Sequence, residues 1–117
     1  MTPTPKDWAI LAMYDVTPDN LSVGGDLDLS DTAITSMPDN LTVGGNLSLS
    51  DTPIPVIYHD SRGYKLRRVM AGSEEWFVSG CRLFRSRQTA LNHWGSPDYP
   101  DKTRGEAYCN AIRENNQ

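Results

Sequence analysis

The first sixty residues contain no arginine and no glutamate, and a single lysine, Lys6. The whole chain has only 2 cysteines, 2 phenylalanines and 2 histidines among its 117 residues. No apolar run comes near the ~20 residues that a membrane-crossing helix needs. The longest, Trp8–Tyr14, has no basic leader or small-residue cleavage site beside it, so no export signal is expected. Two cysteines cannot staple the disulfide framework of a small secreted domain. Cys81 and Cys109 form no Cys-x-x-Cys pair, and with His59 and His93 they match no zinc spacing. Val23-Gly24-Gly25 and Arg62-Gly63 lack the Gly-Lys-Ser/Thr of a phosphate-cradling loop. A cytoplasmic protein without metal or cofactor is the expectation.

The charge that is present is segregated. Residues 1–60 set one lysine against nine aspartates, a net of −8, while residues 61–117 set ten Lys/Arg against six Asp/Glu, a net of +4. Such asymmetry predicts two units with different surfaces.

An internal repeat organises the acidic half. Pro18-Asp19-Asn20-Leu21-Ser22-Val23-Gly24-Gly25-Asp26-Leu27-Asp28-Leu29-Ser30-Asp31-Thr32-Ala33-Ile34 recurs twenty residues later as Pro38 to Ile54, with thirteen of twenty columns identical. Leu27 and Leu29 alternate with Asp28, which predicts a short strand with one buried face, and Leu47 and Leu49 repeat it. A fixed period near twenty is the mark of stacked coils, so a parallel stack is expected, with Leu21, Val23 and Ile34 closing its interior. The Gly-Gly pairs are expected to bend at positive φ, and Pro-Asp-Asn to turn the opposite corner. Two copies cannot bury their interior alone, so Trp8–Tyr14 is expected to cap one end and the second half the other. Pro53 and Pro55 should end the coils.

The run "PDNLxVGGxLxLSxTxI" resembles the short leucine-rich-repeat-like coils of small phage and prophage proteins. It departs from a true leucine-rich repeat, since Ser30-Asp31-Thr32 stands where a buried Asn ladder would follow the strand. The resemblance implies macromolecular binding, and more narrowly a phage-encoded inhibitor of a bacterial defence machine, such as an anti-CRISPR protein, acting in the cytoplasm of the host.

Stacking would set Asp19 over Asp39 and Asp31 over Asp51 at about one strand spacing, which is repulsive. These aspartates fit turn and capping roles, or an acidic face that imitates nucleic-acid phosphate or attracts a basic partner. Calcium has oxygen ligands here but no loop of recognised spacing.

The basic half predicts a hairpin from Tyr64–Met70 and Trp76–Ser79, with Tyr64 and Leu66 on one face and Lys65 and Arg67 on the other. Cys81–Phe84 forms a candidate third strand. Ser86 is a candidate N-cap for a helix over Arg87–Trp94, and a last helix spans about Lys102 to Glu114, weakened near its start by Gly105. Arg62, Lys65, Arg67, Arg68, Arg82, Arg85 and Arg87 crowd this hairpin and the strand after it among Tyr64, Trp76, Phe77 and Phe84. That composition suits a solvated sheet face, an acidic protein partner or a nucleic-acid platform, the last opposed by a pI of about 5.0. Cys81, His93 and Asp98 are the residues from which a nucleophile, base and orienting group could be assembled, but the context of Cys81 is that of a small buried hydrophobe.

The resulting expectation is an α+β chain: a cap over residues 1–15, two β-solenoid-like coils over 16–58, and a basic ββ(β)αα unit over 59–117. Its function is expected to be non-enzymatic binding of a bacterial protein or ribonucleoprotein complex. Asp28, Asp31, Asp51, Arg67, Trp76 and Arg85 are the expected contact residues, since aromatic and Arg anchors dominate interface energies. The alternatives are a self-assembling module that pairs through the repeat edge, forming a homodimer, and a small nucleic-acid binder using the Arg-rich hairpin.

Overall fold

The computed structural model describes residues 3–38 and 40–114. Folding starts from a capping box: the Thr4 hydroxyl accepts the Asp7 N–H at 3.1 Å, and the Asp7 carboxylate accepts the Thr4 N–H at 3.1 Å. With Pro5 in the first turn, this starts helix α1 (Pro5–Ala12), so the expected apolar cap takes helical form. The helix unwinds through a Schellman turn. Val16 N–H reaches the Leu11 carbonyl at 3.0 Å, and Asp15, at φ 64, reaches Ala12 at 3.1 Å. Leu11 and Val16 are both fully buried, the hydrophobic contact that usually accompanies this turn.

The two repeat copies follow. Each contributes two strands of only two residues: β1 (Ser22–Val23) and β2 (Leu27–Asp28), then β3 (Thr42–Val43) and β4 (Leu47–Ser48). They pair in parallel, β1 with β3 and β2 with β4, with Leu27 opposite Leu47 and Asp28 opposite Ser48. The register continues past the strand, where Leu29 N–H reaches the Ser48 carbonyl and Asp31 N–H reaches Ser50, both at 2.9 Å.

The expected solenoid does not form. These are two isolated two-stranded pairs, laid against a helix and an antiparallel sheet. The physical reason is length. Two copies with two-residue strands supply too little ladder to define a stack of coils, which needs about three repeats.

The Gly-Gly pairs also differ from expectation. Among the described glycines, positive φ occurs at Gly63, Gly72 and Gly80, not in the repeat. Close approach explains the second pair instead. A Cβ on Gly44 would overlap the Gly24 carbonyl oxygen, and one on Gly45 would overlap the Asp26 carboxylate. Gly24 and Gly25 face open space. Among the described residues, the left-handed positions of the repeat are Asn40 (φ 62) and the equivalent pair Asp31 (φ 61) and Asp51 (φ 58), a conformation for which Asn and Asp are several-fold enriched among non-glycine residues.

A four-stranded antiparallel meander comes next: β5 (Val56–His59), β6 (Lys65–Ala71), β7 (Glu74–Ser79) and β8 (Arg82–Phe84). The expected hairpin and third strand are present, and β5 adds a strand that lies across the expected 58/59 boundary. Helix α2 (Arg87–Trp94) is capped by Ser86, whose hydroxyl accepts the Thr89 N–H at 3.0 Å, and α3 (Lys102–Glu114) closes the fold.

Strand alternation makes three layers. Val69, Ala71, Trp76 and Val78 point from the sheet into the repeat interior, against Leu27, Leu29, Ile34, Leu47 and Leu49. Leu66 and Phe77 point the other way, against Ala90, Trp94, Tyr108 and Ile112 of the helices. Backbone bonds join the first two layers, from Met37 N–H to Met70 (2.9 Å) and from Leu47 N–H to Cys81 (2.9 Å). Gly105, expected to weaken α3, has a packing role: a Cβ there would overlap the Trp94 carbonyl oxygen, so its absence lets the two helices meet.

Candidate binding surfaces

The outer surface of the repeat is acidic. Asp15, Asp19, Asp26, Asp28, Asp31 and Asp51 are all exposed. Among the described residues none of them joins an ion pair. Their local bonds are to backbone and hydroxyl groups. Asp26 accepts the Asn46 N–H at 2.8 Å, and Asp28 accepts the Ser30 N–H at 3.0 Å together with its hydroxyl, which holds the Asp28 carboxyl below its ordinary range. The register places Asp31 and Asp51 one strand spacing apart, about 4.8 Å. The expected Asp19/Asp39 pair lies in part outside the described residues.

One aspartate of this half is buried. Asp7 accepts from the Thr35 N–H (2.9 Å), the Thr35 hydroxyl (2.8 Å) and the Ser36 hydroxyl (3.1 Å), besides its capping bond. Burial acts to raise its carboxyl, but the Thr35, Thr4 and Ser36 bonds outweigh it and hold Asp7 below its ordinary range. Asp7 thus clamps helix α1 to the end of the first repeat copy.

The arginines behave differently. Arg67 is only 7% exposed, and its guanidinium donates to the Ile54 carbonyl at 2.8 Å and to Thr52 at 3.4 Å. It closes the end of the second copy. Trp76 is fully buried, with Arg85 4.7 Å over its ring, and among the described residues its indole N–H has no hydrogen-bond partner. Arg67 and Trp76 are therefore buried in the interior, and half-buried Arg85 lies over Trp76. Both faces of the sheet are largely covered, and Lys65, Glu74 and Arg82 are its exposed charged residues. Arg68 and Arg87 converge on Glu75 at 2.7 and 2.6 Å, and these pairs, Arg87 foremost, hold the Glu75 carboxyl low.

A polar network that no sequence motif announces centres on Asp60, whose side chain is 2% exposed. Its Oδ2 accepts from Arg104 Nη2 (2.7 Å), Arg104 Nε (2.9 Å) and the Tyr108 hydroxyl (2.7 Å). Its Oδ1 accepts the Arg62 and Tyr64 N–H groups, both at 2.9 Å. Burial alone would raise Asp60, but the bonds from Tyr108, Arg104, Tyr64 and Arg62 outweigh it and hold the carboxyl at about 2. Burial, reinforced by the Asp60 carboxylate, pushes Tyr108 up to about 12. With its proton directed to Asp60, Tyr108 takes the Ser79 hydroxyl as donor, 3.1 Å away. The network pins the β5–β6 turn to α3. The Asx turn Asp60-Ser-Arg-Gly was the local signal available, and its partners lie over forty residues away.

A cleft of about 420 Å³ lies where the repeat meets the sheet, with Asp51, Tyr64, Lys65 and Arg67 in its walls. It brings together two of the expected contact residues, Asp51 and Arg67. Asp28 and Asp31 are not among its lining. Of the residues considered for catalysis, His93 and Asp98 line one shallow cavity without Cys81, which is exposed in the β7–β8 turn. Among the described residues, no group of three His, Cys, Asp or Glu could hold a metal, and no helix is long and apolar enough to cross a membrane. Comparison with protein-family models, with characterised proteins and with solved structures finds no match to this chain.

Proposed function

We propose that the protein is a non-enzymatic binding module whose aspartate-bearing repeat surface engages a basic surface on a macromolecular partner. One observation carries this reading: five exposed aspartates lie in the repeat, with Asp15 in the turn before it, and among the described residues none has a cationic partner within the chain. Unpaired exposed charge of one sign steers and selects partners of the other sign. The resemblance of the repeat to phage and prophage coils supplies the narrower form. In it, the acidic surface occupies a groove of a bacterial defence complex that otherwise holds nucleic acid. An Arg-rich hairpin platform for nucleic acid has less support, because Arg67, Arg68, Arg85 and Arg87 all have internal partners.

The test is capture from bacterial lysate on the immobilised chain, followed by elution with salt or with excess nucleic acid. The expected partner is released by both, since exposed ion pairs are screened within about 10 Å at 0.1 M salt. Retention indifferent to both treatments would refute the reading.

A further inference from the structure

The sheet edge that faces the helices opens into a second cavity, of about 280 Å³, lined among others by Arg62, Tyr64, Ser79, Arg82, His93 and Arg104. Its composition follows from register. Ser79 and Arg82 are directly opposite across β7 and β8, so both side chains leave the sheet on one face, and Ser79 bonds Tyr108 of α3 on that face. The Arg82 guanidinium lies 5.2 Å from the Phe84 ring centroid and forms no ion pair among the described residues. Arg62 meets one carboxylate, Asp101, at 3.4 Å with side chains 60% and 39% exposed, a pair of little energetic value. Arg104 is fixed in place by Asp60. His93 makes ring contacts with Phe84, Trp94 and Tyr99 at 5.1, 5.2 and 5.4 Å, and among the described residues no hydrogen bond reaches its nitrogens.

We propose that this cavity binds a small phosphate-class oxyanion, with Arg62 and Arg82 as the principal donors and His93 as a third. Guanidinium groups suit this ligand because their planar donors match its oxygens in pairs. The volume lies just under the usual ~300 Å³ lower bound for small-molecule sites, so the ligand is free phosphate or a compact phosphate ester such as a nucleoside monophosphate. Tyr64, 50% exposed beside the arginines, gives the ester's ring a surface to stack on.

Electrostatics around His93 support the site. Burial, then Arg82 on β8 and Arg104 on α3, lower its pKa, while Tyr99 and Asp98 flank it in the neighbouring cavity. A bound phosphate oxyanion reverses the sign of that field, so the imidazolium gains stability and the His93 pKa moves up on binding.

The experiment is calorimetric titration of the full chain at low ionic strength with inorganic phosphate and, separately, adenosine monophosphate, with His93 ring resonances followed by NMR. Saturable one-to-one binding is expected, with an upward move of the His93 pKa. Arg82→Gln, which removes the guanidinium and keeps a polar side chain, should weaken binding about tenfold or more, as loss of a charged hydrogen bond does. Equal affinities would identify free phosphate as the ligand. Tighter nucleotide binding that is lost in Tyr64→Ala would identify the ester, and either result upholds the site. No saturable binding at millimolar ligand overturns it. So does unchanged affinity in an Arg62→Gln, Arg82→Gln double variant whose circular dichroism matches the parent.

Discussion

The two halves of the chain use charge in opposite ways. In the repeat, the aspartates stand outward and are bonded only to nearby amides and hydroxyls, so their charge remains uncompensated. In the sheet and helices, charge is turned inward: Asp60 with Arg104, Glu75 with Arg68 and Arg87, Arg67 on backbone carbonyls. The formal charges, −8 and +4, suggest two opposed faces. The structure shows one exposed acidic face and a basic half in which Arg67, Arg68, Arg87 and Arg104 are committed to holding the fold while Arg62, Lys65 and Arg82 stay exposed. Net charge by segment thus says little about surface until each group's partner is known.

The comparison is most open to attack at Arg104. Arg104→Ala leaves Asp60 buried without its cation, and loss of one partner of a buried pair costs about 3–5 kcal/mol. Urea unfolding that shows a loss under 1 kcal/mol would remove the structural role of the basic half's charge.

Acid probes the same network. Asp60 is held at about 2 and Asp7 below its ordinary value, so both favour the folded state most above pH ~4. The sign is that of depressed carboxylates: their contribution is lost as pH falls from about 4 toward the folded-state values. Thermal midpoints should decline over that window, and Asp60→Asn should flatten the decline. An equal slope in parent and variant would count against the network.

The repeat offers a contrast between its own copies. Gly44→Ala forces a Cβ onto the Gly24 carbonyl and should cost about 1–3 kcal/mol, as overpacking does. Gly24→Ala meets nothing and should be neutral or stabilising by up to about 1 kcal/mol. Matching denaturation curves for the two variants would mean that the copies do not lie in this register.

Smallest in stability is the neutralisation of Asp28, Asp31 and Asp51. Exposed substitutions usually shift stability within about 0.5 kcal/mol. Asn is the replacement to use, because Asp31 and Asp51 hold positive φ, which Asn tolerates and Ala does not.

Much of the secondary structure was legible because its signals are local. Ser86 marks the start of α2, and the apolar-aromatic runs Tyr64–Met70 and Trp76–Ser79 mark the β6–β7 hairpin. The repeat period fixed which residues would pair but not what they would build. A twenty-residue period suggests coils, yet the strands are two residues long. Helix α1 went unread although Thr4-x-x-Asp7 is a capping box, because Trp8, Ile10 and Leu11 lie on no single polar-apolar stripe. The burial of Trp76 and Arg67 is not legible locally, because alternation along β6 and β7 separates two faces without telling that the one they share lies against the repeat. Asp60 could not be tied to Arg104 and Tyr108 from sequence, since no local pattern spans that separation.

The central claim is that the repeat's exposed aspartates serve contact while the buried ion pairs of the basic half serve the fold. Its most direct test is partner retention by the Asp28→Asn, Asp31→Asn, Asp51→Asn triple variant, measured beside its thermal midpoint. The account predicts a midpoint within about 2 °C of the parent, as a change under 0.5 kcal/mol implies, and retention reduced at least tenfold. Full retention by a variant of unchanged stability would contradict it.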